Sequence, residues 1–159
     1  MGYILEFQCN FDDVLTVLKP TDKEIEFIKS RKVARLATVD GLGRPLVVPI
    51  CYYFDGRFIY TPIDKKPKRA SPRELKRVRN IIENPNVSLV IDEYYEDWTK
   101  LYYVIINGRA EIIESGEEYQ NSLRLLSEKY PQYGDMKLSG LNLPVIKIIL
   151  ERIISWGNF

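Results

Sequence analysis

The feature that most constrains the fold is a series of short apolar runs separated by turn signals. Val33 to Val39 leads into the turn Gly41-Leu42-Gly43, and Leu46 to Phe54 is followed by Asp55-Gly56 and the run Phe58 to Ile63. Runs of this length, rich in β-branched and aromatic residues, are typical of strands, and Asp-Gly is a common hairpin turn. The region therefore predicts a meander of three antiparallel strands.

Later segments extend this meander. Val87 to Ile91 and Tyr102 to Ile113 are strand-like, and the isoleucine-rich segment Val145 to Ser155 is typical of a strand buried on both faces. Helices are predicted after the cap residue Thr21, over Arg73 to Asn84 and over Glu117 to Tyr130. Five or six antiparallel strands with flanking helices favour a mainly β (α+β) fold, a closed or split β-barrel.

Composition narrows the chemistry. The 159 residues have the length of one domain and include no histidine. Catalysis by Ser-His or Cys-His pairs, histidine-ligated metals and imidazole acid–base chemistry are therefore excluded. Cys9 and Cys51 lack the spacing of a zinc or redox motif, so we interpret them as small apolar residues. Any chemistry must come from carboxylates, Lys, Tyr, Cys or a bound cofactor.

The charge of the chain is segregated, although the net value is only +1. Between Lys65 and Arg79, eight cations are opposed by Glu74 alone, so this segment carries +7 and the remainder −6. Those cations are Lys65, Lys66, Lys68, Arg69, Arg73, Lys76, Arg77 and Arg79. Such a concentration favours an anion site or a solvated loop about equally. Because the aromatic residues do not interleave with the cations, we expect no nucleic-acid partner.

Candidate binding residues surround this basic segment. Tyr60 and Thr61 end a predicted strand just before it, and a hydroxyl followed by cations at a helix start can hold a phosphate. Arginine stems also commonly lie over apolar surface, so a solvated helix explains the same residues. Four aromatic residues can stack on a planar ring or belong to the core: Trp98, Tyr102, Tyr103 and Trp156. The acidic stretch from Asp92 to Asp97 lacks calcium-loop spacing and is interpreted as solvated.

Several short motifs, in order, resemble those of a known family. They are Ala34-Arg35-Leu36-Ala37-Thr38-Val39, Gly43-Arg44-Pro45, Val48-Pro49, Tyr60-Thr61, Lys66-Pro67-Lys68-Arg69, Asn80-Ile81, Asn84-Pro85 and Val87-Ser88-Leu89. Together they resemble the pyridoxamine 5'-phosphate oxidase-like, FMN-binding split-barrel superfamily. Asp92-Glu93-Tyr94, Glu96-Asp97-Trp98, Gly108-Arg109-Ala110 and Lys129-Tyr130-Pro131-Gln132-Tyr133 are similar to its branch of coenzyme F420 (deazaflavin) dependent oxidoreductases. The resemblance implies a six-stranded antiparallel split β-barrel over residues 21–159, after an N-terminal extension of residues 1–20.

The same resemblance implies an oxidoreductase that transfers hydride from F420 or FMN to a small organic acceptor. It implies a homodimer with this flavin-type cofactor at the subunit interface. Backbone groups of Leu46, Val47, Val48, Pro49 and Ile50 would line the cofactor ring, and Tyr60 and Thr61 would approach its ribityl chain and phosphate. Lys76 and Arg77 match the family's phosphate-binding pair, whereas Lys66, Lys68 and Arg69 would extend the anionic groove toward a deazaflavin's acidic tail. Tyr103 and Trp156 would lie near the ring.

Some expectations stay open or negative. The chain ends Arg152 to Phe159 without the substrate-binding segment of pyridoxamine phosphate oxidases, so we do not expect vitamin B6 oxidase activity. An alternative function is a non-catalytic protein that sequesters a flavin, haem or tetrapyrrole. We expect no bound metal ion. Without a signal peptide or a run of about 18 apolar residues, the sequence predicts a cytoplasmic protein with no membrane partner.

Overall fold

One antiparallel sheet dominates the computed structural model, which describes residues 19–63 and 71–157. Within these ranges the sheet has seven strands in the order β2-β1-β5-β6-β7-β4-β3. The strands are β1 Ala34–Val39, β2 Pro45–Ile50, β3 Tyr53–Phe54, β4 Phe58–Pro62, β5 Asn86–Glu93, β6 Tyr102–Ile113 and β7 Val145–Gly157. The helices are α1 Asp22–Ser30, α2 Lys76–Glu83, α3 Glu117–Lys129 and α4 Pro131–Asp135. All but residues 19 and 20 of the predicted extension lie outside the described residues.

The sheet curls because its two edge strands are joined by a very short link. β2 ends at Ile50 and β3 begins at Tyr53, yet these strands lie at opposite ends of the strand order. Three chain steps span at most about 10 Å, so the two edges must approach each other. This geometry is that of a half-open barrel and confirms the predicted split β-barrel with flanking helices.

The count of seven strands, rather than the predicted six, arises at this link. The sequence predicts one strand over Leu46 to Phe54, but the backbone of Tyr52 leaves the sheet pairing. Its N–H donates to Tyr130 Oη at 3.0 Å, and the Tyr130 hydroxyl lies 2.8 Å from its carbonyl oxygen. The Tyr130 side chain, at the end of α3, thus takes the place of a neighbouring strand as the hydrogen-bond partner of the Tyr52 backbone. The predicted strand is therefore divided into β2 and β3.

The helices begin and end at the signals in the sequence. Thr21 Oγ1 accepts a hydrogen bond from Glu24 N, and the Glu24 carboxylate accepts one from Thr21 N, which forms a capping box. α2 is shorter than predicted because Leu75 has an extended backbone, with a 3₁₀ turn before it at Pro72–Glu74. α3 ends before Pro131, which disfavours helical geometry at the residue that precedes it.

Two apolar clusters form the core. The larger one lies inside the curled sheet, where residues such as Leu36, Leu89 and Ile106 pack with Val78 and Ile81 of α2. The smaller one packs α3 against β4. β7 is largely buried only from Val145 to Ile148, so the expectation of burial on both faces holds for its beginning. Within the described ranges no helix is both long and apolar enough to cross a membrane.

Candidate functional site

The predicted ring-binding residues Leu46 to Ile50 form most of β2, an edge strand. β2 pairs with β1 alone among the described strands, so one side of its backbone has no neighbouring strand. Pro45 and Pro49 have no N–H and are tolerated at such an edge. Because prolines cannot donate to β1, residues 45, 47 and 49 direct their backbone groups away from it. Val47, which is 60% exposed, then directs its N–H and carbonyl away from β1, toward a side where no other described strand pairs with β2.

The predicted phosphate ligand Lys76 lies beside a buried carboxylate. Asp40 directly follows β1, and its Oδ1 accepts from the backbone N–H groups of Leu42 and Arg44 at 3.1 and 2.9 Å. Its Oδ2 accepts from Arg44 Nε at 2.8 Å and from Lys76 Nζ at 2.7 Å. The bond from Lys76, followed by that from the Arg44 backbone, holds the pKa of Asp40 well below its usual range. The structure thus brings Lys76 to the turn that precedes β2.

Asp40, which contacts the predicted phosphate ligand Lys76, was not predicted from the sequence. Asp before Gly is a familiar turn signal, and two of its bonds are those of such a turn. The partner Lys76 is 36 positions away, and no local pattern indicates that pairing. Arg77, the second predicted phosphate ligand, is half-buried next to Val78. α2 is fixed there because Asn80 Nδ2 donates to Thr38 Oγ1 at 3.0 Å.

Tyr60 and Thr61 lie elsewhere, on β4 between β3 and β7. Tyr60 belongs to the smaller apolar cluster, and its hydroxyl lies 2.9 Å from Glu118 Oε1 and 3.3 Å from Asp55 Oδ2. Burial and the carboxylate of Glu118 raise the pKa of Tyr60. Thr61 is buried. The Tyr60 hydroxyl therefore contacts Glu118 and Asp55 rather than Lys76. That Tyr60 and Thr61 contact a cofactor stays a prediction.

Part of the basic segment is neutralised within the chain. Arg73 Nη2 lies 2.8 Å from Glu114 Oε2, and Lys76 Nζ lies 2.7 Å from Asp40 Oδ2. Lys66, Lys68 and Arg69 lie outside the described residues. The net charge counted along the sequence thus overstates the positive field that the described part of this segment presents.

Tyr103 and Trp156 form a stacked aromatic pair across β6 and β7. They are opposite each other in the strand register, with ring centroids 5.7 Å apart and planes inclined by 19°. Trp156 is 47% exposed, so a planar ligand can lie against it. Tyr102 instead packs edge-on against Phe27, as expected of a core residue. Trp98 is 69% exposed, and the core interpretation is wrong for it.

The aromatic pair and the β2 edge share the outer face of the sheet but do not touch. Strands β1 and β5 separate β2 from β6, a distance of about 14 Å along the sheet. A shallow groove of about 370 Å³ lies on this face, and its lining includes Ala37 of β1, Ser88 of β5 and Asn107 of β6. Asp92, paired with Arg35, lies in register with Tyr103 on this face. Asp92, which the sequence analysis interprets as part of a solvated acidic stretch, thus forms an ion pair with Arg35.

A β-bulge shapes the groove. Asn107 pairs with Arg152, whereas Gly108 pairs with Leu150, so Glu151 is an additional residue in β7 and lies at the groove. A Cβ at Gly108 would lie 2.0 Å from the carbonyl oxygen of Ile149. This distance is a steric clash, so any residue with a side chain is excluded from this position. The sequence analysis did not predict this bulge, although a glycine within a strand-like run, such as Gly108, can indicate one. The described residues contain no cluster of three or more side chains of metal-ligand type.

Comparisons with known proteins place these observations in a family. A curated relative is the 5a,11a-dehydrotetracycline/5a,11a-dehydrooxytetracycline reductase of Streptomyces rimosus, 27% identical over 86% of this chain and 82% of its own. The fold is similar to that of a conserved hypothetical protein of Mycobacterium tuberculosis, with a TM-score of 0.70 and 21% identity over 89% and 87% of the two chains. It is also similar to HutZ, a haem storage protein of Vibrio cholerae, with a TM-score of 0.67 and 22% identity over 86% and 93%. The family model for pyridoxamine 5'-phosphate oxidase matches residues 20–157, and the chain therefore belongs to that family.

Proposed function

We propose that this protein is an oxidoreductase that binds deazaflavin F420 or FMN and passes hydride between it and a small organic acceptor. The family and the reductase relative, which matches 86% of the chain, support this class of reaction. The bound cofactor would supply the hydride chemistry. A chain without histidine can support such a reaction because it needs only to bind the cofactor and the acceptor, orient them and exclude water.

The observation that carries the proposal is the outer face of the sheet. It combines the unpaired edge of β2 with the exposed ring of Trp156, which is stacked on Tyr103. Backbone N–H and carbonyl groups suit the polar edge of a flavin-type ring, and an exposed aromatic suits its flat surface. The residues present therefore fit a planar heterocycle with polar edges.

Lys76 suits the phosphate of the same cofactor even though it contacts Asp40. An ammonium group has three donors, and the bond to Asp40 at 2.7 Å uses one of them. The Lys76 side chain is 41% exposed, so the remaining donors are accessible to a phosphate. Asp40 would then hold the ammonium in place before the cofactor arrives, which reduces the entropy lost on binding.

We further propose that the cofactor lies between two copies of this chain. A single chain holds the β2 edge and Trp156, on β7, about 19 Å apart across the sheet, so one ring cannot contact both within a subunit. A two-fold axis near the groove would place the edge of one subunit beside the aromatic pair of the other. Half-buried apolar residues on this face, such as Val90 and Ile105, support an interface there.

Two measurements test whether the cofactor lies at a dimer interface: light scattering gives the oligomeric state, and titration gives the affinity for the cofactor. Ser88→Arg inserts a long cation at the groove and is expected to give a monomer that binds cofactor at least tenfold more weakly. The matched control is Glu26→Arg on the exposed side of α1, which should stay dimeric. A wild-type monomer that binds cofactor with full affinity would show that the interface is not part of the site.

The decisive experiment for function is a titration of the purified protein with FMN and with F420, followed by absorbance. We expect micromolar binding of at least one cofactor, and oxidation of the reduced complex by an unsaturated or carbonyl compound. A protein that binds neither cofactor at micromolar concentration would overturn the proposal. Reduction without turnover of any acceptor would favour the sequestering alternative.

The alternative function, a non-catalytic protein that sequesters its ligand, is tested with haem because HutZ shares this fold. Without histidine, an axial ligand would have to be a Cys, Met, Tyr or Lys side chain. A sharp Soret band at stoichiometric haem, combined with no flavin or deazaflavin binding, would favour haem storage over the enzyme.

A further inference from the structure

Charged side chains gather around the β-bulge on the outer face of the sheet. Along β6, buried residues alternate with outward ones, so Arg109 and Glu111 follow the groove residue Asn107 on this face. On β7, Arg152 lies opposite Asn107 and therefore shares its face. Glu151, the additional residue of the bulge, lines the groove beside them. We call Arg109, Glu111, Glu151 and Arg152 the bulge charges.

The bulge charges have no partner among the residues that the structure describes. None of these side chains forms an ion pair or a hydrogen bond there. Three of them are exposed, and Arg152 is half-buried. Other arginines differ in this respect, since an ion pair within the chain is formed by each of Arg31, Arg35, Arg44, Arg73 and Arg124. The bulge charges are therefore available to a partner molecule.

The bulge charges also alternate in sign along the strands. The register of β6 with β7 gives their order along the sheet as Glu111, Arg109, Glu151, Arg152. The signs in this order are negative, positive, negative, positive. In the opposite direction every sign is reversed. A row of charges with this property is complementary to a second copy of itself that runs the opposite way.

A two-fold axis between two copies of the chain produces that opposite direction. In such an interface, residue i of one subunit contacts residue j of the other, and j contacts i. With the axis at the bulge, between Arg109 and Glu151, Arg109 would face the partner subunit's Glu151. Glu111 would face the partner subunit's Arg152. Each charge then meets the opposite sign, which offsets the cost of removing it from water.

We propose that the bulge charges form the centre of a self-complementary interface between two copies of this chain, each charge paired with the opposite charge of the other copy. This inference rests on the dimer of the proposed function and adds the residues that fix its register. Half-buried apolar residues of the same face, such as Val90 and Ile105, would supply buried area. The ion pairs would disfavour other registers, because like charges that face each other at an interface repel.

Single charge reversals test this interface. Arg109→Glu places a carboxylate opposite the partner subunit's Glu151, and Glu151→Arg places a cation opposite the partner subunit's Arg109. Each variant alone should dimerise about tenfold more weakly than the wild type in analytical ultracentrifugation. Lys29→Glu and Glu26→Arg make the same charge changes on the exposed side of α1 and should leave the dimer unchanged. A wild-type monomer, or reversals as neutral as these controls, would overturn the proposal.

A mixture of the two variants distinguishes a contact between subunits from one within a chain. In a heterodimer of Arg109→Glu with Glu151→Arg, one subunit has carboxylates at both positions and the other has cations. Both pairs across the axis then have opposite signs, so mixing should restore dimerisation to near the wild-type level, with the heterodimer as the main species in native mass spectrometry. Two misfolded variants cannot rescue each other in this way. A mixture that dimerises as weakly as its components would overturn the proposal.

Cofactor titration of the same samples keeps this inference separate from the proposed reaction. Weak single variants and a rescued mixture, with no binding of FMN or F420, would support the interface and overturn the oxidoreductase. A wild-type dimer that binds cofactor, and that neither reversal weakens, would support the oxidoreductase and overturn the role of the bulge charges.

Discussion

Lys76 Nζ lies 2.7 Å from Oδ2 of Asp40, a carboxylate whose side chain is 1% exposed. This contact joins the first residue of α2 to the turn between β1 and β2. It gives the basic segment a structural anchor at the position where the resemblance implies a phosphate ligand. The same lysine can therefore stabilise the fold and bind an anion.

The contact predicts a dependence of stability on acid. Because the folded-state pKa of Asp40 is depressed, its stabilisation is complete above the unfolded pKa of about 4 and is lost as the pH falls below that value. Asp40→Asn should lower the melting temperature at neutral pH and flatten the loss of stability below pH 4. Thermal unfolding at a series of pH values measures both effects. Identical acid profiles for the two proteins would contradict the role of Asp40.

The bulge between β6 and β7 predicts that one methyl group added at Gly108 greatly lowers the free energy of unfolding. Gly108→Ala would place a Cβ 2.0 Å from the carbonyl oxygen of Ile149, so the strands must move. We expect a loss of about 2–3 kcal/mol in the free energy of unfolding, measured by urea denaturation. Gly134→Ala is the control, since an added Cβ there meets nothing within 4 Å and helical alanine is favourable. Similar losses for both variants would refute the steric argument.

Most of the sheet could be predicted from the sequence because its strands are long or bounded by strong turns. The predicted bounds of Tyr102 to Ile113 are those of β6, and Asp55-Gly56 does connect β3 to β4. The break at Tyr52 could not be predicted, since it depends on the hydroxyl of Tyr130, 78 positions away. Local periodicity contains no information about such a distant partner.

Tyr130→Phe tests that distant contact. The change removes the acceptor of the Tyr52 N–H and the single O–H donor that lies 2.8 Å from the carbonyl oxygens of both Lys32 and Tyr52, all in a buried position. Leaving buried polar groups unsatisfied should cost about 1–3 kcal/mol in the free energy of unfolding. Tyr94→Phe, on an exposed tyrosine, should change it by less than about 0.5 kcal/mol. A neutral Tyr130→Phe would mean that this hydroxyl does not hold the link.

The candidate site was less accessible to sequence reasoning than the fold. The order of motifs predicts cofactor contacts on β2 and at the start of α2, and both elements lie near the turn after Asp40. Sequence order placed Tyr60 just before the basic segment, whereas packing turns its side chain toward Glu118. Which face a strand residue occupies depends on register and helix packing, and one sequence determines neither.

Trp156→Ala tests the aromatic surface of the proposed cofactor site. Loss of the exposed ring beside Tyr103 should weaken cofactor binding about five- to tenfold, or about 1–1.4 kcal/mol, as expected for loss of a stacking contact. Trp98→Ala removes a similarly exposed indole from a different segment and should leave the affinity unchanged. Fluorescence titration with each cofactor measures both variants. Equal losses would show that general surface aromaticity, rather than this stacked pair, matters.

The choice between the two cofactors is tested by reversing charge in the basic segment. Lys68→Glu with Arg69→Glu should weaken F420 binding more than FMN binding, because the acidic tail of the deazaflavin offers extra carboxylates to these cations. The difference should shrink at high salt, which screens exposed charges. A matched pair of reversals at exposed lysines, Lys29→Glu with Lys137→Glu, should affect both cofactors little. Equal losses for F420 and FMN would remove Lys68 and Arg69 from tail binding and leave Lys76 as the anion contact common to both.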